Sequence, residues 1–127
     1  KPIVFGKIVD NTQPVKPLSQ LDEQLWPYVQ ATDKRMDAAS VRFSGKDSYF
    51  GHNLCHYDRI IATIVSAATY NSYENKRQLN DVEFRRASTF PADFDFCGEN
   101  VKYITGMSVP PYMMHRVASS VIRQWFD

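Results

Sequence analysis

The stretch HNLCH places three residue types that ligate metals, His52, Cys55 and His56, within five positions. A structural zinc site takes four such ligands, usually as two short-spaced pairs. The second pair is missing, because the other cysteine, Cys97, stands alone in the sequence. We therefore expect no metal site and assign HNLCH to local packing or to the polar surface.

The two cysteines also raise the question of a disulfide bond. No apolar run approaches the roughly 18 to 20 residues of a membrane span, and the N-terminal KPIVFGKIVD lacks the long apolar core of a signal peptide. These features predict a soluble, cytoplasmic protein without a membrane partner. In that setting we expect Cys55 and Cys97 to stay reduced.

Length and composition are those of one small globular domain or of a piece of a larger one. The chain has 127 residues, of which 43% are hydrophobic and 23% are charged. Lys and Arg total 15 against 14 acidic residues. Such a balance attracts no polyanion to the whole surface, so any nucleic-acid contact must come from local clusters. The first residue is Lys1 and not methionine, which is typical of a piece of a longer or processed chain.

The first half of the chain predicts a small sheet with peripheral loops. KPIVFGKIVD predicts a short strand, and the prolines of NTQPVKP predict a loop. In SQLDEQLW, Ser19 can cap a helix with Asp22 three residues on, and Pro27 should end that helix after about two turns. Residues 31–39 predict a turn or a short exposed helix. The β-branched and aromatic segments VRF, SYF and RIIATIVSA predict strands.

A capped helix is predicted at LNDVEF. Asn80 can cap its first turn while Glu83 returns a bond to the cap nitrogen, and Leu79 can meet Phe84 as a hydrophobic staple. This helix should stop near Ser88, where the loop TFPADFDFCGEN begins with its breakers and three phenylalanines.

The last segment predicts an amphipathic helix. Its apolar residues recur at i, i+3, i+4, i+7, i+8 and i+11, and they are Met114, Val117, Ala118, Val121, Ile122 and Trp125. Pro111 suits the first turn, and Ser108 lies where a capping hydroxyl would help.

Two segments resemble conserved motifs of the DNA (cytosine-5) methyltransferases. RQLNDVEFRRASTFPADF resembles the ninth motif of that family, and its matching residues are Arg77, Leu79, Glu83, Arg86, Phe90 and Pro91. GMSVPP, residues 106–111, resembles the tenth motif, usually G-N-S-V-P-P, and an apolar helix follows it here as in the family. The two motifs occur in the family's order and at about its spacing. Asn80 replaces the usual threonine and keeps the capping chemistry.

A softer match lies upstream of these motifs. The family's target recognition region carries a T-L or T-I dipeptide on a strand before the ninth motif, and Thr63 and Ile64 occupy that place. A short apolar strand containing threonine is common in any protein, and that plainer reading stays open. The resemblance covers residues 59–126, whereas residues 1–58 fall where the family varies most.

The resemblance implies site residues of three kinds. Gly106, Ser108 and Val109 would belong to a pocket for S-adenosyl-L-methionine, with Ser108 donating to the carboxylate of the cofactor. The expected contacts to duplex DNA are Arg59, Thr63, Ile64, Lys76 and Arg77, with Arg42 and Lys46 as further phosphate candidates. Glu83, Arg86 and Pro91 would be structural members of the ninth motif, in which Glu83 and Arg86 pair with each other. Each basic residue could instead be an ordinary solvated side chain.

Several parts of a whole enzyme of this family are absent from the sequence. It contains no F-x-G-x-G cofactor loop and no Pro-Cys nucleophile, and neither cysteine follows a proline. The tripeptide ENV at residues 99–101 copies the family's catalytic motif by chance, since it lies on the wrong side of the ninth motif. Met107 replaces the usual asparagine of the tenth motif. No catalytic residue is therefore assigned to this chain.

We therefore expect an α+β fold. A small twisted β-sheet recognition region with loops, residues 1–76, would be followed by residues 77–127, a short helix and an amphipathic helix that packs on a Rossmann-like methyltransferase domain. The resemblance implies the C-terminal part of a methyltransferase, inactive alone, with duplex DNA and an N-terminal catalytic portion or partner subunit as its partners. The alternatives are a non-catalytic DNA- or protein-binding module and a degenerate remnant with a self-associating helix.

Overall fold

The computed structural model describes residues 2–46 and 49–126. Its strands and helices have the following bounds: 3-10 turns at Phe5–Lys7 and Trp26–Tyr28, helices α1 Gln20–Leu25, α2 Asp37–Ser44, α3 Asp81–Ala87, α4 Val101–Met107 and α5 Pro111–Trp125, and strands β1 His52–Cys55, β2 Thr69–Ser72 and β3 Arg77–Gln78. Short elements of both kinds confirm the α+β class. Among the described residues, no helix has both the length and the apolar character needed to cross a membrane.

The three strands form one mixed sheet in the order β1-β2-β3. Strand β1 runs parallel to β2, with Leu54 opposite Asn71, and β3 runs antiparallel to β2, with Gln78 opposite Asn71. On the outer side of β1, Arg35 forms an isolated antiparallel bridge with Asn53. The small sheet thus has both parallel and antiparallel pairs around one central strand.

Each face of this sheet carries its own apolar cluster, because successive side chains of a strand point to opposite faces. Leu54 lies in a cluster with α1 and α2, whose buried members are Leu25, Met36, Ala39 and Leu54. Its neighbour Cys55 lies in the other cluster, with Phe5, Ile8, Ala68, Tyr70, Leu79 and Phe84. Cys55 is buried, Cys97 is exposed and both are free thiols, as expected.

A buried ion pair joins the N-terminal segment to the sheet and to α3. The Arg77 side chain donates to both carboxylate oxygens of Glu83, at 2.7 and 3.0 Å, and to the carbonyl of Asp10 at 3.2 Å. Glu83 also accepts from the backbone N–H of Asp10 at 3.0 Å. The hydrogen bonds that Arg77 donates to Glu83 hold the pKa of its guanidinium above the ordinary value. Residues 10, 77 and 83 therefore form one hydrogen-bonded charged cluster.

The predicted helix caps at Ser19 and Asn80 are present. The Ser19 side chain accepts from the Asp22 N–H, and α1 gives way to a 3-10 turn that contains Pro27. Asn80 and Glu83 form the complete capping box, and α3 ends at Ser88. Helix α5 begins at Pro111. These signals are local in sequence, so their geometry follows from a few adjacent residues.

The predicted strands are wrong in three segments. In KPIVFGKIVD, residues Phe5–Lys7 form a 3-10 turn and not a strand. The N–H groups of Phe5 and Gly6 donate to the carbonyls of Arg59 and Tyr57. VRF lies in α2. RIIATIVSA has no ladder partner and is tied down by the Tyr70 hydroxyl, which donates to Thr63 and accepts from Val65. In SYF, Ser48 lies outside the described residues.

Two further corrections concern the C-terminal part. Helix α4 was not predicted, although Asn100 caps it by accepting from the Tyr103 N–H. The residue before α5 is Pro110, without a side-chain cap. Ser108 instead closes the end of α4, because its hydroxyl donates to the Ile104 carbonyl.

For residues 31–39, a turn or a short exposed helix was expected. A helix is present, but it starts only at Asp37 and continues to Ser44.

We predict that Arg77→Met lowers the free energy of unfolding by about 3–5 kcal/mol, because it leaves the Glu83 carboxylate buried without its cation. Urea denaturation followed by circular dichroism measures the change. The control is Arg35→Met, since the Arg35 side chain is about half exposed, pairs with Asp37 at 3.3 Å and donates to the Phe50 carbonyl at 2.7 Å; losing these exposed contacts should cost no more than about 1 kcal/mol. Equal losses for the two variants would contradict a special role for the buried pair.

Candidate functional site

The main concavity lies between the extended segment 60–65, the end of α3 and the junction of α4 with α5. This cleft has a volume of about 570 Å³. Its walls are mainly apolar, and the lining residues used below are Ile8, Thr63, Ile64, Arg86, Gly106, Ser108 and Tyr112. The volume falls in the range of roughly 300–1,000 Å³ that is typical of small-molecule sites.

Gly106 brings α4 against segment 60–66. A Cβ atom at position 106 would lie 2.7 Å from the Ser66 nitrogen and 2.9 Å from the Val65 carbonyl carbon. Real Cβ contacts are not this short, so the backbone crossing requires glycine. In this chain the close approach at Gly106 is to the backbone of residues 65 and 66.

Ser108 lies in the wall of the cleft, whereas the adjacent Val109 is not among the lining residues. The Ser108 hydroxyl proton is donated to the Ile104 carbonyl at 2.5 Å. Val109 is about half exposed. The segment therefore offers a hydroxyl oxygen and an exposed apolar side chain at the edge of the concavity.

Thr63 and Ile64 line the opposite wall of the same cleft. The Thr63 carbonyl accepts from the Tyr70 hydroxyl at 2.6 Å, and Ile64 packs on the core. Burial raises the pKa of Tyr70, so this hydroxyl keeps its proton and stays a donor. Two residues expected at DNA and two expected at the cofactor are thus brought together around one cavity.

Arg59 and Lys76 lie apart from the cleft, beyond the ends of β1 and β2. The Arg59 guanidinium donates to the carbonyls of Ala31 and Thr32. Lys76 is exposed in the turn before β3, with a left-handed φ of 49°. The two turns touch, because the Tyr57 hydroxyl bonds to Asn75 at 3.0 Å. Arg59 and Lys76 therefore share one edge of the sheet.

Arg77 does not lie on the surface. It is only 5% exposed, and its donors are taken up by Glu83, Asp10 and Asn11. The expected pair of Glu83 with Arg86 is also wrong, since Arg86 bonds to Asp10 at 3.3 Å and to the carbonyls of Ile8 and Val9. Because the Arg77 guanidinium is buried, it is not accessible to a phosphate group. Its role in this structure is to hold the surrounding segments together.

Arg42 is likewise engaged within the chain. Its guanidinium binds Asp33 through two hydrogen bonds of 2.6 and 2.8 Å and holds the pKa of that carboxyl below its ordinary value.

Pro91 follows α3 in an exposed loop, where Phe90, Phe94 and Phe96 pack on one another. Lys46 is exposed after the end of α2.

Helix α5 leaves the cleft with its apolar face exposed. None of its residues is buried, and its backbone is tied to the rest by Tyr112, whose N–H donates to the Thr89 hydroxyl. Its apolar residues Met114, Val117, Val121 and Ile122 are each about half exposed, and Trp125 is 77% exposed. Tyr112 also lines the cleft, but it lies on the other side of α5, at the helical spacing of Arg116, Ser119 and Arg123. The cleft therefore adjoins the first turn of α5, and the apolar face is a separate exposed surface.

Sequence reasoning missed that the N-terminal segment helps to build this cleft. Pro2, Ile3 and Ile8 line it, together with Ile60 and Ile61. Nothing in the local sequence places residue 3 beside residue 60, since only the tertiary contact of Phe5 with Arg59 does so. Helix α4 did carry a signal, the capping Asn100.

Comparison with known proteins identifies the family of this chain. The family model for C-5 cytosine-specific DNA methylase matches residues 6–123. The chain belongs to this family. No curated protein and no solved structure matches it. The chain is therefore a member of a family of DNA methyltransferases whose substrate is DNA and which generally uses S-adenosylmethionine.

The residues present do not fit a whole S-adenosylmethionine site. A nucleoside is commonly held by an acidic residue on its ribose hydroxyls, and the cleft lining includes no acidic residue. The only charged side chain in that lining, Arg86, is already bonded to Asp10. The Ser108 proton is also committed. These residues suit one wall of such a site, so no catalytic step is derived through the cofactor.

The HNLCH segment is occupied by structural contacts. The His52 Nδ1 lies 2.7 Å from the fully buried Asp22 carboxylate, and the His56 Nε2 lies 2.6 Å from the Asp33 carbonyl. Within ranges 2–46 and 49–126, no group of three or more His, Cys, Asp or Glu residues is arranged to hold a metal ion. Burial, with the Glu83 and Glu74 carboxylates, raises the pKa of the Cys55 thiol to about 12.

We predict that the native chain exposes one reactive thiol at pH 8. The Cys55 pKa of about 12 keeps that thiol protonated and shielded, whereas Cys97 is exposed. Titration with a chromogenic disulfide should count one thiol in buffer and two in denaturant. The Cys97→Ser variant should show none in buffer. Rapid reaction of that variant at pH 8 would contradict the burial of Cys55.

We also predict that Gly106→Ala destabilises the chain by about 1–3 kcal/mol, because the new methyl group collides with backbone atoms that cannot rotate away. Thermal unfolding provides the measurement. The matched control is Gly51→Ala, whose Cβ would meet Ala68 at an ordinary 3.6 Å. A neutral Gly106→Ala would show that the α4 crossing is looser than these distances indicate.

Proposed function

We propose that this chain is the C-terminal part of a DNA (cytosine-5) methyltransferase, which transfers a methyl group from S-adenosylmethionine to C5 of cytosine in duplex DNA. Residues 1–76 form the target recognition region, and residues 77–127 form the ninth and tenth motifs that close the catalytic domain. The nucleophile and the glycine-rich cofactor loop lie on a catalytic part outside these residues. This chain alone transfers no methyl group.

The observation that carries the proposal is the exposed apolar face of α5, on which Met114, Val117, Val121 and Ile122 are each about half exposed. An apolar surface that is contiguous over a whole helix face is typical of a binding interface. The tenth motif, GMSVPP, leads directly into this helix, with Gly106 and Ser108 in the cleft wall. The family's cofactor domain supplies a partner of matching chemistry.

The proposed roles follow from position. The apolar side of α5 docks on the sheet of the catalytic part, and Gly106, Ser108 and Val109 form one wall of the completed cofactor pocket. To donate to the cofactor carboxylate, the Ser108 hydroxyl must release the Ile104 carbonyl. Ser108 can also serve without that change, as an acceptor.

DNA contacts are proposed for the surface residues of the recognition region. Arg59 and Lys76 contact phosphates at the shared sheet edge, which fixes the register of the protein on the duplex. Thr63 and Ile64 contact the target site from the extended segment beside the cleft. Arg77 acts through Glu83 and Asp10, by fixing the positions of these elements, and touches no DNA.

The proposal is tested by complementation of methyl transfer. The chain is co-expressed with an N-terminal methyltransferase part from the same genome that carries the Pro-Cys nucleophile and the cofactor loop. Transfer of labelled methyl groups to duplex DNA is then measured. We expect activity only with both parts. Placing carboxylates on the apolar face, Val117→Asp with Val121→Asp, should reduce activity at least about a hundredfold, because two buried unpaired charges oppose docking.

The matched control is Ser120→Asp, which adds a carboxylate on the polar side of α5 and should leave activity within about twofold of the wild type. Circular dichroism checks that each variant keeps its helices. If no combination of parts yields methyl transfer while the chain still binds duplex DNA, a non-catalytic binding module is the better description. Concentration-dependent self-association without DNA binding would indicate the remnant.

A further inference from the structure

The C-terminal stretch of the chain has a net positive charge because it lacks acidic residues. Residues 100–126 contain Lys102, Arg116 and Arg123 together with His115, and no Asp or Glu, although Glu99 precedes this range and Asp127 follows it. The whole sequence is nearly balanced, with 15 basic and 14 acidic residues. On α5 the two arginines are therefore not offset by any acid of the helix itself.

The two arginines of α5 lie on one side of the helix. Seven residues separate them, which corresponds to about 10.5 Å along the axis and about 20° around it. Ser119 lies between them, and a surface pocket of about 430 Å³ is lined by His115, Arg116, Ser119, Ile122 and Arg123. The Arg123 Nε donates to the Ser119 carbonyl at 3.2 Å, which turns the guanidinium toward the serine.

This cationic side is free to meet a ligand. Within the part of the chain that the structure describes, no carboxylate forms an ion pair with Arg116 or Arg123. The apolar residues Val117 and Val121 lie on the other side of α5, as the helical period requires. When the apolar side docks on a protein partner, the arginines face outward.

We propose that Arg116, Ser119 and Arg123 bind the phosphodiester backbone of duplex DNA, as a second contact separate from the recognition region. Guanidinium groups match phosphate oxygens in pairs, and a serine hydroxyl is a common phosphate donor. The spacing of about 10.5 Å corresponds to about three base-pair steps of 3.4 Å. Such contacts hold the duplex without reading its sequence.

The inference rests on the proposed function in one respect, namely that a catalytic part covers the apolar side of α5. A helix with an apolar side and a basic side is also typical of helices that lie on anionic membranes. DNA is favoured because the family acts on DNA and because α5 directly follows the tenth motif of that family. Binding to lipid is therefore an outcome that the experiment must separate.

The experiment measures binding of the chain to a fluorescent duplex of arbitrary sequence as a function of salt. Each phosphate contact contributes about 0.9 to the slope of log K against log salt. We expect the double variant Arg116→Gln, Arg123→Gln to lower the magnitude of the slope by about 2 and the affinity at low salt by about tenfold or more. Glutamine keeps helix propensity, so the fold should persist.

Two further variants sharpen the result. Ser119→Arg adds a cation on the same side and should raise the slope by about 1. Lys7→Gln removes the same charge from an exposed site in the N-terminal segment and should leave the slope unchanged. An equal loss in Lys7→Gln and in each single arginine variant would overturn the proposal, because only net charge would then matter.

An unchanged slope in the double variant would also overturn it. So would binding to phosphatidylserine vesicles that the double variant loses while DNA binding stays the same. These readouts do not depend on methyl transfer. Complementation can therefore fail while the slope still responds to Arg116 and Arg123, or succeed while the slope does not respond, and the two proposals are judged separately.

Discussion

The fold depends on the buried ion pair between Arg77 and Glu83. Its two members lie on β3 and α3, and the same carboxylate accepts from the Asp10 backbone while the same guanidinium donates to the Asp10 carbonyl. Asn80 adds a further bond to that carbonyl at 2.8 Å. A buried carboxylate and guanidinium are stable together only when their remaining donors and acceptors are satisfied. The need to satisfy them fixes where the N-terminal segment must lie.

The position of the cleft follows from this charged cluster. The segment that Asp10 anchors carries Phe5 and Ile8 into the main apolar cluster, and Phe5 and Gly6 bind the backbone of residues 57 and 59. The chain then continues into the extended segment 60–65, which forms one wall of the cleft. Gly106 lets α4 cross that segment at backbone contact. The ninth and tenth motifs meet beside this cleft, where the Tyr112 N–H donates to the Thr89 hydroxyl.

Helix α5 stands in contrast to this well-satisfied interior. Its caps and contacts are few, its apolar residues face outward and its cations are concentrated on the other side. Exposed apolar surface of this extent on one helix is unusual for a protein that acts alone. The two sides of α5 therefore suit two different partners, a protein surface for one and a polyanion for the other.

The sequence by itself determined the local features. The caps at Ser19 and Asn80, the end of α3 at Ser88 and the amphipathic α5 each depend on residues within one or two helical turns, and the family followed from two short motifs. Only the tertiary structure decided which residues distant in sequence contact each other. Segments such as RIIATIVSA have strand composition, yet no neighbouring strand reaches them. Arg77 has the chemistry of a DNA contact, yet Glu83 and Asp10 meet it in the interior. Local propensity cannot encode such partners, because they are brought together from positions more than sixty residues apart, as Asp10 and Arg77 are, with a sequence separation of 67.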